Sequence, residues 1–149
     1  MTLGRWGGAN YNGSDFMQAS TLMHELGHNL ALRHGGAPQQ PNCKPNYLSV
    51  MSYLFQLHGL LDDKGAPHLD YSSAPGAALN ENALADAALP GVQYRMAWYE
   101  PLTQGTVAYA LGTPAAKKYC NGMPFPAGTS PMGRVDGPPM GVAIDWNGN

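Results

Sequence analysis

The sequence predicts an α+β fold: a long helix near the start, a second helix after the middle, and a loop-rich remainder. Three observations carry that prediction. Residues 15–32 place apolar groups at helical spacing behind a capping pair, Ser14 or Asp15. Glu81 to Leu89 follows Asn80 as a second helical segment and stops at Pro90 and Gly91. Glycine and proline number 19 and 13 and crowd the stretch after residue 100, which favours turns over long elements.

Each element has its own justification. Residues 1–13 are rich in Gly and Asn, with Leu3 and Trp6 as large apolar anchors and room for one strand at most, around Met1–Gly7. Asp15 and Gln18 have capping-box spacing at the start of the first helix. Phe16, Leu22, Leu26 and Leu30 are expected to supply its core contacts. Residues 35–46 form a Gly/Pro/Gln-rich loop, and Leu54–Leu61 is an apolar run interrupted by His58. At and just before the second helix, Leu79, Leu84 and Leu89 are placed towards the core. Val92–Tyr99 and Thr106–Leu111 have strand-like composition. Residues 112–143 read as irregular loop, part of a loop-rich C-terminal segment, 112–149, of one domain spanning 1–149.

Composition narrows the partners. Net charge is −2 and charged residues make up 12%, with no cluster of Lys or Arg. Nucleic acid and anionic membranes are therefore not expected partners. No apolar run approaches the length needed to span a bilayer. A monomer is expected.

The densest chemistry lies in HELGHNLALRH, His24 to His34. On a helix, positions four apart are rotated by about 40° and separated by about 6 Å along the axis. His24 and His28 thus share one face and can grip one metal ion. Glu25 is turned about 100° from His24, which suits a general base beside the metal rather than a ligand. His34 lies six residues past His28, about 9 Å further along a straight helix. Zinc–nitrogen bonds of about 2.0–2.1 Å require the three ligand nitrogens to converge. The helix must therefore end between His28 and His34, and the chain must turn back. Gly35 and Gly36 come too late to make that turn.

This stretch resembles the metzincin signature H-E-x-x-H-x-x-G-x-x-H. His24, Glu25, His28 and His34 match it; Ala31 stands where the pattern has glycine. A left-handed turn at a non-glycine residue costs roughly 1–2 kcal/mol, so a strained turn at Ala31 is predicted. Residues 46–53, Asn-Tyr-Leu-Ser-Val-Met-Ser-Tyr, resemble the Met-turn of the same clan in its astacin and serralysin form. By that resemblance Met51 lies under the histidines, and Tyr53 is a loose metal ligand or an oxyanion stabiliser. The resemblance covers about residues 20–53. It implies a secreted zinc endopeptidase in which His24, His28 and His34 hold one Zn2+ and Glu25 is the base.

The resemblance also implies that this chain is partial, because 23 residues before His24 leave little room for the upper subdomain of such enzymes. MTLGRWGGAN carries no secretory signal. Asp145, Asn147 and Asn149 alternate like the start of a calcium loop, which leaves a Ca2+ site or a plain solvated turn as the alternatives. Cys43 and Cys120 either form a disulfide tying the late loop to the floor of the site or remain as thiols. An alternative third ligand is Glu81, as in gluzincins. The alternative function is a zinc-binding domain that is catalytically inert or binds a partner. His58 and His68 lack ligand spacing, and Asp70 is expected to pin a loop.

Overall fold

The computed structural model describes residues 13–74, 79–80, 83, 93–112, 114–116, 118–139 and 141–144. The proposed strand at Met1–Gly7, all of the helix from Glu81 to Leu89 except Ala83, and the calcium-like Asp145, Asn147 and Asn149 lie outside those residues. Described elements run in the order α1 (Asp15–Asn29), β1 (Leu60–Leu61), β2 (Pro67–His68), β3 (Ala97–Pro101), α2 (Val107–Leu111) and β4 (Met132–Asp136). A mixed α+β architecture is thus present. It contains two small antiparallel sheets, β1 with β2 and β3 with β4.

Helix α1 starts where its capping chemistry places it. Ser14 is the N-cap, and its hydroxyl accepts from the Met17 N–H at 3.2 Å. Its inward face differs from the expected one. The buried residues are Ser20, Thr21, His24 and Gly27, whereas Leu22, Leu26 and Leu30 are 55%, 52% and 62% exposed. Small and polar groups face inward because the helix packs closely against the chain. The Ser20 hydroxyl donates to the Gln56 carbonyl, and the Tyr71 hydroxyl donates to the Met23 carbonyl at 2.5 Å. Phe16 packs over Gly59, where a side chain would clash with its ring.

The core lies beyond this helix. Leu54, Phe55, Leu60 and Ala97 are fully buried, with Leu48, Tyr94, Tyr99 and the Cys43 end of a disulfide packed around them. Arg134 of β4 is also buried. Its guanidinium lies over the Phe55 ring and donates to the carbonyls of Leu54 and Gly59 and to the Asp136 carboxylate. That set meets the cost of burying the charge. Asp70 pins its loop as expected: its carboxylate accepts from the Tyr71 N–H and the Tyr94 hydroxyl, and its carbonyl from the Val50 N–H.

Three assignments are corrected. Thr106–Leu111 is not a strand but the cap and body of α2; Thr106 accepts from the Tyr109 N–H, and Gly112 ends the turn at φ 61°. A β-rich composition in six residues yields to a good N-cap and a left-handed C-cap. Residues 112–143 are not wholly irregular, since β4 pairs across its full length with β3. Within Val92–Tyr99, strand β3 begins only at Ala97. Among the described residues, no helix is long and apolar enough to cross a membrane.

Candidate metal centre

The site is built by the end of α1. The helix stops at Asn29, short of the expected Leu32, and Leu30 is its C-cap. Ala31 then adopts φ 64°, in the left-handed region. Its N–H donates to the His28 carbonyl at 3.0 Å, and the Leu32 N–H donates to the Gly27 carbonyl at 2.9 Å. This pair of bonds is a Schellman cap, and Ala31 occupies the position that favours glycine. The cap reverses the chain within three residues. It therefore returns His34 to the face that carries His24 and His28, as the spacing required.

The three side chains converge. The Nε2 atoms of His24 and His28 are 3.2 Å apart, those of His24 and His34 3.2 Å, and those of His28 and His34 3.0 Å. Tetrahedral zinc bonds of about 2.0–2.1 Å would set ligand nitrogens about 3.3 Å apart. The other ring nitrogens decide what these short approaches mean. His24 Nδ1 lies 2.8 Å from the Val50 carbonyl, and His28 Nδ1 lies 3.1 Å from the Leu32 carbonyl. A carbonyl oxygen only accepts, so both Nδ1 atoms carry a proton, and in the neutral ring each Nε2 then presents a lone pair. Lone pairs facing each other at 3.2 Å repel unless a cation lies between them. The donor set therefore fits zinc, and the two carbonyls orient the rings for it. Among the described residues, no other group of three His, Cys, Asp or Glu side chains could hold a metal.

Electrostatics favour the same state. Burial lowers the pKa of His24, against the upward pull of its Val50 hydrogen bond. Burial also lowers that of His34, helped by the neighbouring His24 and His28. Both are then neutral and available to a metal near neutral pH. The Glu25 charge pulls both pKa values upward, against burial.

Beneath the helix, Met51 is fully buried. A Cβ at Gly27 would overlap its sulfur and come within 3.1 Å of the Tyr71 ring. Gly27 is thus the one residue of HELGH that lets the Met51 turn approach the backbone between His24 and His28. Tyr53 is 43% exposed, and its ring lies 4.5 Å from that of His34 and 5.8 Å from that of His24, centroid to centroid. Its N–H donates to Asn42 Oδ1 at 3.1 Å, which also accepts from the Cys43 N–H at 2.7 Å. Asn42 therefore ties the 35–42 loop to the 46–53 segment.

Cys43 and Cys120 form a disulfide across 77 residues. In a chain-entropy account such a link stabilises by about 4 kcal/mol. It also brings residues 120–122 to a cleft of ≈ 680 Å³ that opens on His28, His34 and Tyr53 and is walled by Arg33 and the 37–42 loop. His58 lines a separate cavity of ≈ 270 Å³ with Tyr99, Arg134 and Asp136, and His68 pairs with Asp62 at 3.0 Å. Neither joins the centre. Glu81, the alternative ligand, lies outside the described residues.

The structure brings His24, His28, His34, Met51 and Tyr53 together. Sequence reasoning did not find Gly27, Asn42, the orienting carbonyls of Val50 and Leu32, or the 120–122 wall. The glycine inside HELGH and the Asn-Cys pair at 42–43 were the available signals. No family model, curated protein or solved structure matches the chain.

Proposed function

We propose that the chain is a zinc-dependent endopeptidase. The observation that carries this reading is the convergence of three Nε2 atoms within 3.0–3.2 Å, two of them on rings whose Nδ1 faces a backbone carbonyl. His24, His28 and His34 would hold the metal, leaving the cleft side open to substrate. Zinc, when bound, supplies a Lewis acid that lowers the pKa of a water towards about 7 and polarises a carbonyl. Glu25 takes the proton of the attacking water and delivers it to the departing amine. The Tyr53 phenol donates to the oxygen that gains charge. Met51 supports the helix that aligns the first two histidines. The disulfide is compatible with an extracellular setting, which the proposal adopts.

The test is casein hydrolysis by the zinc-loaded chain. Glu25→Ala should keep the metal and lose several orders of magnitude in turnover, and Tyr53→Phe should lower kcat with little change in KM or melting temperature. Activity retained in metal-loaded Glu25→Ala would remove the mechanism. A second reading, a zinc-binding domain inert by itself, draws support from the exposed Leu22, Leu26 and Leu30 stripe on the same helix. Stoichiometric zinc with no hydrolysis would select it.

A further inference from the structure

The cleft beside the three histidines is almost without charge. Among the described residues that line it, the walls are Gly, Ala, Pro, Gln, Asn, Tyr and one disulfide sulfur, apart from the histidines and Arg33. Arg33 is thus its single permanent charge, since a guanidinium does not titrate in the working range. It also has no ion-pair partner among the described residues; the pairs there are His68 with Asp62 and Arg134 with Asp136.

Its backbone is fixed. The Arg33 carbonyl accepts from the Gly36 N–H at 3.1 Å and from the Tyr47 hydroxyl at 3.2 Å. Residues 33 and 36 form an antiparallel bridge. Gly35 is buried where a Cβ would run into the Gln40 and Pro41 carbonyls, so this turn is held against the loop behind it. The side chain therefore starts from a set point one residue before the ligand His34. Neighbouring Cα atoms are about 3.8 Å apart, and an extended peptide advances about 3.3 Å per residue. A guanidinium rooted there lies within reach of substrate groups one or two residues from the bond held at the metal.

Resting on the peptidase reading above, we propose that Arg33 makes the enzyme prefer substrates with a carboxylate within two residues of the scissile bond. The carboxylate is supplied by an acidic side chain or by the chain end. The guanidinium fork matches a carboxylate with two parallel hydrogen bonds, and among the described cleft residues no other permanently charged side chain competes for it. An exposed pair of this kind changes an equilibrium by up to about fivefold.

The experiment uses the full chain loaded with zinc and end-blocked peptides that differ only in Glu or Gln near the cleaved bond. Matched free-acid and amide forms separate the two carboxylate sources. Cleavage gives kcat/KM, and fluorescence anisotropy on zinc-loaded Glu25→Gln gives Kd without turnover. Both should favour the carboxylate about fivefold. Arg33→Gln should erase the preference, bringing the Glu and Gln peptides to equal kcat/KM and equal Kd, and Arg33→Glu should invert it towards Lys. Cleavage without discrimination, or discrimination unchanged in Arg33→Gln, would overturn this assignment and leave the peptidase reading standing. A zinc-loaded chain that cleaves none of the peptides would overturn the peptidase reading, and this inference with it.

Discussion

Ala31→Gly should stabilise the protein, against the usual direction for introducing glycine. Ala31 sits at φ 64° and its N–H and that of Leu32 close the Schellman cap that returns His34 to the site. An L side chain there costs roughly 1–2 kcal/mol. Glycine removes that cost but enlarges the unfolded ensemble, which takes back about 0.4–1 kcal/mol. The residue is exposed, so losing its methyl sacrifices little packing. The balance is a gain of about 0.5–1 kcal/mol, or about 2–3 °C in melting temperature for a chain of this size. The assay is thermal unfolding followed by circular dichroism, with chelator present so that metal affinity does not contribute. Ala31→Val is the control in the opposite direction, because a β-branched side chain is worse at positive φ. A lower melting temperature for Ala31→Gly than for wild type would refute the strain argument, and an unaltered Ala31→Val would refute the left-handed geometry itself.

Other perturbations follow from the same centre. Gly27→Ala gains about 1 kcal/mol of helix propensity but drives a methyl into Met51 and towards Tyr71. Overpacking at a buried contact costs about 1–3 kcal/mol, so urea unfolding should show net destabilisation, and a more stable Gly27→Ala protein would deny the contact. The pH dependence has a definite sign. The pKa values of His24 and His34 are lowered from the ordinary 6.5, chiefly by burial. The unfolded chain therefore binds protons first. Stability of the metal-free protein should be complete above that value and fall as pH drops through it towards the folded-state pKa values. Unfolding free energies that rise on acidification from pH 7 to pH 6 would contradict the buried, neutral assignment.

The site was legible in the sequence far beyond the fold around it. Spacing alone required the helix to end between His28 and His34, and Ala31 was recognisable as the strained residue because it replaces a glycine at the turn. Those conclusions depend on local geometry, which sequence separation fixes. Helix faces depend on what packs against them, and there the reading failed. Leu22, Leu26 and Leu30 look like a core stripe, yet the helix presents Ser20, Thr21, His24 and Gly27 to the molecule because Met51 and Gln56 approach it closely. Strand β4 escaped notice because Met132–Asp136 contains a glycine and two charges and is stabilised by a partner about 35 residues earlier. The roles of the Val50 and Leu32 carbonyls have no side-chain signature, so only coordinates display them.

The central claim is that three histidines, the third returned by the cap at Ala31, make one zinc site. The most direct test is metal content of the purified chain with chelator competition, on wild type and His34→Ala. One zinc per chain, and a loss of at least tenfold in affinity on removing His34, are the predicted results. Unchanged zinc affinity in His34→Ala, with release of the metal by Glu81→Ala instead, would contradict the account.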